Sequence, residues 1–475
     1  MLIFRFRSLL QTTMSFRLPA IEVSDDTPFA NDALDREKIV NFVAGIVGDT
    51  GGHPLVLAID SPYGTGKSTF VDMLGKVLNQ KNFRTVYFNA WKADHVSDPL
   101  IAMVAALDEA FPHSEGDSEI GAVNMARVKK IAGILLKRGA AVGVKIATAG
   151  VVDLSDDLEE ALGDTAADAT SDVIEAFEKE EEAAKCFKAE LEKVVTKLPE
   201  LNKKPTLVFF IDELDRCRPD FAMSLLERVK HMFDVPNMAF VLSVDKKQLE
   251  AVTAAVYGEK IDAPEYLRKF IDLEFGLPSP SKEAFIKNAF TRAGLDEKFA
   301  TRQHADKDQI VRFITLLVNI YGMSLRAIER CIVRLKLVLA VTPENHGLHA
   351  IQIALLIVLR SVDKEMFDQV AHRKIDPLRV MEHFRSLPNS RGLLDEIEGL
   401  ALETMLVAEL ADNQSRGAYR SEQRVILDRT GLTDDERNKA QLRLQMLDSF
   451  SRDLFGGNRL SRIAATIDIA ANVRG

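Results

Sequence analysis

Ser61-Pro62-Tyr63-Gly64-Thr65-Gly66-Lys67-Ser68-Thr69 joins an apolar run to a helical one, and its residue types suit the gripping of phosphate. Backbone N–H groups converge on phosphate oxygens only where no side chain blocks the approach, and Gly64 and Gly66 leave those gaps. The following helix adds its unpaired N-terminal N–H groups and the positive end of its dipole. Lys67 can reach the outer phosphates, and the Ser68 hydroxyl can ligate Mg²⁺. Ser61, Tyr63, Gly64, Thr65, Gly66, Lys67, Ser68 and Thr69 are therefore the candidate contacts of a nucleoside triphosphate. The pattern G-x-x-x-x-G-K-[ST] asks for glycine where this chain has Ser61, a small residue that disfavours positive φ; the departure bears on affinity, not on the existence of the site. A chance Gly/Ser turn before a helix is the bland alternative. The apolar run Pro54 to Ile59 before the loop, and Phe70, Met73, Leu74, Val77 and Leu78 at helical spacing after it, argue against that.

Such a site needs carboxylates on a second strand, and Thr206-Leu207-Val208-Phe209-Phe210-Ile211-Asp212-Glu213 carries two at its end. The continuous apolar run predicts a buried parallel strand covered on both faces. Successive strand side chains point to opposite faces, so Asp212 can face Mg²⁺ while Glu213, at the exit, orients and deprotonates the attacking water. One acid after a strand would read equally well as the N-cap of the next helix; two adjacent acids weaken that alternative.

These residues need a sheet to hold them, and the chain alternates strand and helix patterns through its first 280 positions. Thr85 to Trp91, Ala239 to Asp245 and Ile271 to Phe275 read as further strands, and about Pro99 to Phe111 and Phe221 to Phe233 as helices, which predicts a parallel, doubly wound sheet. From Ser281 on the pattern is helical; Ile351 to Leu359 is apolar but too short to span a bilayer and reads as a buried helix. The tail beyond Asp363 offers no motif with an evident chemistry. Ile131 to Leu154 is rich in small apolar residues but broken by Lys137, Arg138 and Lys145, so it predicts a soluble or interfacial helix. Ser171 to Lys197 predicts one long charged helix, with Val173, Phe177, Cys186, Phe187, Leu191 and Val194 as a broken apolar stripe that can pair with the helix before it.

The 475 residues carry a net charge of −10, and the acidity is local. Asp153 to Glu182 holds thirteen carboxylates against Lys179 alone, which leaves the remainder slightly basic and reads as a solvated helix face or linker. No basic stripe interleaved with aromatics is visible, so no clear nucleic-acid site is expected. Cys186, Cys217 and Cys331 are far apart and lack the spacing of a disulfide framework or a zinc site, which predicts a reducing compartment. Leu2-Ile3-Phe4 is interrupted by Arg5 and Arg7 with no cleavage-site pattern after it, so no signal peptide is expected; translation from Met14 instead of Met1 is the alternative start.

The chain resembles the KAP family of P-loop NTPases over roughly Phe29 to Leu339. The resemblance is carried by Tyr63-Gly64-Thr65-Gly66-Lys67-Ser68, Phe88-Asn89-Ala90-Trp91-Lys92 and Phe210-Ile211-Asp212-Glu213-Leu214-Asp215-Arg216-Cys217. It continues through Phe240-Val241-Leu242-Ser243-Val244-Asp245 and Glu265-Tyr266-Leu267-Arg268-Lys269-Phe270. The family usually has Asp-Asp-Leu-Asp-Arg-Cys where Glu213 stands second here. The resemblance implies an extra strand between the two nucleotide motifs, Ser243 or Asp245 as a γ-phosphate sensor, and Arg326 of Met323-Ser324-Leu325-Arg326 in the place of a lid arginine. Bacterial relatives often carry transmembrane helices between the two motifs, whereas this insertion is charged and short of apolar length; the usual lid pattern Asn-Pro-Arg is reduced to Arg326. Arg216, Arg268 and Lys269 are candidates for the cation of the transition state, with a surface ion pair as the competing reading of each.

The resulting expectation is an α/β fold: a P-loop NTPase parallel sheet flanked by helices, with a helical insertion and an all-α C-terminal region. The expected divisions are a tail (1–28), a first core segment (29–115), the insertion (116–200), a second core segment (201–280), a helical lid (281–345) and a C-terminal region (346–475). The expected activity is Mg²⁺-dependent ATP hydrolysis used as a conformational or assembly switch, with ATP and Mg²⁺ as ligands. A homo-oligomer or protein partner and a cytoplasmic location are expected, with peripheral membrane attachment as the alternative. The family resemblance adds a role in excluding plasmids or phage. A nucleotide-bound scaffold with negligible hydrolysis and a small-molecule kinase are the competing classes.

Overall fold

Short runs dominated by Val, Leu, Ile and Phe can be buried only if both faces are covered, and two of them form the centre of the sheet. A computed structural model describes residues 18–19, 21–111, 118–139, 172–278, 281–300, 304–342, 348–452 and 459–472. It divides into two units, Glu22–Pro278 and Ser279–Gly475, the latter together with the start of the chain.

The first unit opens with helix α1 (Glu37–Gly48), β1 (Leu55–Asp60), α2 (Lys67–Gln80), β2 (Arg84–Asn89) and the single turn α3 (Ala90–Ala93). Then come α4 (Pro99–Glu109), α5 (Ser118–Gly139), α6 (Asp172–Thr196), β3 (Leu207–Asp212), α7 (Pro219–Met232) and β4 (Met238–Val244). It closes with α8 (Lys246–Tyr257), α9 (Ala263–Leu267) and β5 (Leu273–Gly276). All neighbouring strands are parallel, in the order β2-β3-β4-β1-β5. Thus β4 lies between the phosphate-loop strand β1 and the acid-bearing strand β3, the extra strand that the resemblance implied. Every residue of β3 and β4 is buried, as an all-apolar central strand requires. The strand expected through Trp91 ends at Asn89, because the Asn89 side chain accepts from the Lys92 amide at 3.0 Å and caps α3.

Strand alternation divides the core into two layers. Leu57, Ile59, Val208, Phe210, Ala239 and Val241 face α1 and α2. Val56, Ala58, Phe88, Phe209, Ile211, Phe240 and Leu242 face the other way, against α4, α7 and the α5–α6 pair. In that pair Val128, Ile131 and Leu135 of α5 share a core with Phe187, Leu191 and Val194 of α6, so the long charged helix does pair with its predecessor. The acidic run lies outside the described residues up to position 171, as does the apolar stretch beyond 139.

The second unit is helical: α10 (Lys282–Arg292), α11 (Leu295–Ala300), α12 (His304–Ile320), α13 (Leu325–Val341), α14 (Ala350–Val362), α15 (Lys364–Ala371) and α16 (Pro377–Ser386). It continues with α17 (Ile397–Leu410), α18 (Asn413–Leu427), α19 (Asp434–Arg452) and α20 (Arg459–Asn472). The apolar run in α14 is buried from Ala350 to Leu359 and packs against α12, α13, α15, α17 and α20. Segments expected as a lid and as a C-terminal region therefore share one core. Two carboxylates buried in it are paired: Glu403 accepts from Tyr419 at 2.7 Å, and Glu409 from Gln352 at 3.1 Å and Arg459 at 3.3 Å. Among the described residues no helix is long and apolar enough to cross a membrane.

Phe209 is fully buried, with ring centroids of Phe240, Phe88 and Phe233 at 5.3, 6.3 and 6.4 Å. Phe209→Ala should destabilise the sheet unit by about 3–5 kcal/mol, the range for an aromatic cavity in a packed core. Urea unfolding followed by far-ultraviolet circular dichroism checks this; a loss below about 1 kcal/mol would show that the core collapses into the gap.

Candidate nucleotide site

The loop between β1 and α2 owes its shape to two glycines. Gly64 and Gly66 have φ of +76° and +89°, and Gly66 is the N-cap of α2. A β-carbon at either would be strained, so glycine is required by the backbone as well as by access to phosphate. Ser61 is not among the described residues of positive φ, so it carries no such penalty. It is 3% exposed, and its hydroxyl donates to Thr65 Oγ1 at 2.7 Å, which in turn donates to the Pro62 carbonyl at 2.8 Å. The serine that departs from the glycine pattern is a cross-brace inside the loop.

Arg36, the N-cap residue of α1, braces the loop from the other side. It is buried, and its Nη2 donates to the Thr65 carbonyl at 3.2 Å, while Nη1 has no partner among the described residues. Lys67 donates to the Ser61 carbonyl, and its Nζ lies 5.3 Å from the centre of the Tyr63 ring. Burial lowers the Lys67 pKa, against the opposing pull of Asp215, Asp245, Asp212 and Asp60. Ser68 and Thr69 occupy the first turn of α2.

The parallel register sets the opposite wall. Asn89 of β2 pairs with Asp212 of β3, and Asp212 with Ser243 of β4, which pairs with Ile59 of β1. In-register residues face the same side, here the side covered by α2. Asp212 and Ser243 thus sit at the end of the phosphate-loop helix, both almost fully buried. Asp212 Oδ2 accepts from the Tyr87 hydroxyl at 2.9 Å and Oδ1 from the Glu213 amide at 2.9 Å, while Ser243 Oγ is buried without a partner among the described residues. Asp245 follows β4 as the N-cap residue of α8.

Glu213 departs from strand geometry. Its φ of +61° and ψ of 26° are left-handed, so the alternation expected to run through it stops at Asp212. For a residue with a β-carbon that conformation costs roughly 1–2 kcal/mol, and strain of this kind concentrates at functional sites. Both carboxylate oxygens are engaged: Oε2 accepts from Asn89 Nδ2 at 2.9 Å, and Oε1 from Arg216 Nη1 at 2.5 Å.

Asp215, the third acid of the motif, had no assigned role in the sequence. It is 6% exposed, and its Oδ2 accepts the Asp245 amide at 2.8 Å, tying the exit of β3 to the exit of β4. Burial raises its pKa despite that hydrogen bond and the nearby Lys67. Tyr63 donates to the Asp215 carbonyl at 3.3 Å, and burial, with the Asp215 charge second, pushes its phenol up to about 12.

The remaining candidates are dispersed. Arg268 pairs with Glu265 at 2.7 Å with both side chains largely exposed, and Lys269 lies 4.6 Å from the Tyr266 ring centre. They precede Asp272, whose amide donates to Val56 at the start of β1, so they belong to the sheet edge opposite the loop. Arg326 is in the first turn of α13, in the helical unit. Sequence reasoning missed Tyr87, Asn89, Asp215 and Arg36 as site residues; polar residues at alternate positions of β2 were a readable signal for the first two, and Arg36 carried none.

No cluster of three or more metal-binding side chains occurs among the described residues. Ser68 and Asp212 are oxygen donors and too few to cage a metal alone, which fits Mg²⁺, an ion that takes one or two protein oxygens and completes its shell with phosphates and water.

The parallel sheet, the glycine-shaped loop at a helix N-terminus and the acids across the intervening strand define a P-loop nucleotide-binding domain of the additional-strand type. The chain belongs to the KAP family: the model of the KAP family P-loop domain matches residues 36–342. No curated protein matches it in sequence. Among solved structures it is similar to the Aeropyrum pernix ORC2 protein in its ADPNP and ADP complexes, at 14% identity and a TM-score of 0.34, with 92% of this chain and 94% of that one covered. That likeness is too loose to bear on the chemistry.

Asp215 provides a pH test. Its folded pKa is raised, so its favourable contribution is full below the unfolded value of about 3.9 and is lost as pH rises through the folded pKa. Asp215→Asn can keep an acceptor for the Asp245 amide without a buried charge. The variant should therefore gain stability relative to the parent as pH rises from 4 to 7, read as urea midpoints; a constant difference would show that Asp215 titrates normally.

Proposed function

We propose that the protein binds ATP with Mg²⁺ and hydrolyses it, and that the cycle drives a conformational or assembly switch. The observation that carries this reading is the joint burial, at one sheet edge, of Asp212 and an unpartnered Ser243 hydroxyl beside a loop bearing Lys67. A buried hydroxyl without a partner is costly unless a ligand completes it, and a phosphate oxygen is a suitable acceptor. Backbone N–H groups at Gly64 to Ser68 would hold the phosphates, and Lys67 would exchange the Ser61 carbonyl for a phosphate oxygen. Mg²⁺, held by Ser68 and Asp212 together with the nucleotide, would neutralise charge on the β- and γ-phosphates.

Glu213 would take a proton from water as the water oxygen bonds to the γ-phosphorus and the bond to the bridging oxygen breaks, releasing ADP and inorganic phosphate. Ser243 or Asp245 would respond to the γ-phosphate. Arg268 and Lys269, at the opposite edge, could serve only the nucleotide of a neighbouring chain, which requires head-to-tail assembly. A nucleotide-bound scaffold with slow hydrolysis is the second reading, favoured by the two donors that already occupy Glu213. Exclusion of plasmids or phage from the cytoplasm is the family-level output proposed for the switch.

Lys67→Ala should abolish tight ATP binding in calorimetry, whereas Glu213→Gln should retain binding and lose about 100-fold or more in phosphate release, the scale of general-base loss. Equal loss of binding and turnover in Glu213→Gln would make that residue structural. For a cation supplied between chains, mixing Lys67→Ala protein with the Arg268→Ala/Lys269→Ala double variant should restore phosphate release that neither shows alone. No recovery, with specific activity independent of protein concentration, would remove both residues from the mechanism.

A further inference from the structure

Arg216 stands where three parts of the site meet. Its Nη1 donates to Glu213 Oε1 at 2.5 Å, and its guanidinium carbon lies 5.2 Å from the centre of the Tyr63 ring and 5.7 Å from that of Trp91. Tyr63 belongs to the phosphate loop and Trp91 to α3, just beyond β2. Lys67 approaches the same Tyr63 ring, so one aromatic residue borders both the loop cation and the cation on the proposed base. The Tyr63 ring is itself anchored, and so is the backbone turn that carries Trp91. The Tyr63 hydroxyl donates to the Asp215 carbonyl, and α3 is tied to the turn by Arg218 Nε, which donates to the Asp94 carbonyl at 3.1 Å.

A planar, weakly hydrated guanidinium is well suited to aromatic neighbours, where it keeps its N–H edge free for oxygen acceptors. Trp91 is nevertheless 52% exposed, so burial of its own surface does not account for its position. Its ring lies beside the Arg216 guanidinium. Glu213, held by that cation on one oxygen and by Asn89 on the other, must share or release the cation before Oε1 can meet a water proton. A terminal phosphate carries more charge than a carboxylate and accepts the guanidinium fork at least as well.

We propose that Arg216 exchanges between Glu213 and the γ-phosphate of the bound nucleoside triphosphate, and that Tyr63 and Trp91 are the positioning residues that keep its guanidinium within reach of both. The inference rests on the nucleotide reading of the loop and on Glu213 as the base. In the nucleotide-free protein the base is held. The triphosphate draws Arg216 away, Glu213 keeps its Asn89 contact, and the guanidinium now lies where charge develops on the γ-phosphoryl oxygens. Once phosphate leaves, Arg216 returns to Glu213. Hydrolysis is thus enabled by the phosphate that is to be cleaved.

Trp91 is the chain's single tryptophan, so its fluorescence reads the cation contact directly. The full chain is titrated with Mg²⁺ and either AMP-PNP or ADP, with calorimetry in parallel. The expected result is an emission change with the triphosphate analogue that ADP does not produce, and its loss in Arg216→Ala protein that still binds AMP-PNP. In steady-state kinetics Trp91→Ala should lower kcat about 10-fold with KM little changed, and Trp91→Phe should recover most of it, on the scale of a misplaced transition-state donor. Identical emission changes with AMP-PNP and ADP, both bound, would overturn the exchange. Turnover of Trp91→Ala at the parental rate, or equal losses in Trp91→Phe and Trp91→Ala, would remove Trp91 as a positioning residue. Absence of binding in calorimetry would instead overturn the nucleotide reading and this inference together.

Discussion

The parallel alignment of β1, β4 and β3 is the constraint on which the site depends. Register places Ile59, Ser243 and Asp212 in one row, so that the loop leaving β1 and the acids ending β3 open at the same edge with a strand between them. A one-residue slip of β3 would turn Asp212 into the opposite layer and bring Ile211 to the phosphate side. The register is held by the core: Phe210 and Val208 must face α2 while Phe209 and Ile211 face α7 and the helices beyond it. Aromatic packing in the second layer, centred on Phe209, Phe233 and Phe240, thereby supports the geometry of a polar site from the far side of the sheet.

At that edge burial and charge oppose one another. Lys67 and Asp215 attract, yet burial dominates for both, lowering one pKa and raising the other. The hydrogen bond from the Asp245 amide compensates Asp215 in part and fixes where β4 ends relative to β3. Tyr87 and Asn89, two positions apart on β2, place a hydroxyl on Asp212 and an amide on Glu213. The acids therefore do not float at the end of a strand; each is aimed by a donor from the neighbouring strand or turn. The left-handed backbone at Glu213 can persist because the Asn89 and Arg216 contacts hold the side chain it presents.

The helical unit follows a different rule. Its interior is a helix buried on every side from Ala350 to Leu359, α14, whose polar side chain there is Gln352, and the carboxylates buried beside it on α17 are satisfied by Tyr419, Gln352 and Arg459. Such pairs add little net stability over apolar packing, but losing one partner leaves a buried charge and is expensive. The pairs at Glu409 bind helices 50 or more residues apart in sequence into one core.

The sequence by itself determined the local parts: the glycine spacing of the loop, the two-sided burial of the β3 and β4 runs, and the helices whose period matches 3.6 residues. These follow from steric and hydrophobic rules that act within a few residues, and they sufficed for the fold class, whereas the extra strand was legible only through the family resemblance. The end of β2 at Asn89 was decided by a particular hydrogen bond, to Lys92, and Ser61, which is not at positive φ, is braced by another, to Thr65. Only the tertiary structure brought Tyr87 to Asp212, Asn89 to Glu213, and Tyr63 and Trp91 to Arg216. Those pairs lie more than 100 residues apart, and no periodicity encodes which strand will neighbour which. Sheet order, set by how all the apolar faces can be covered at once, made the neighbours and so the site.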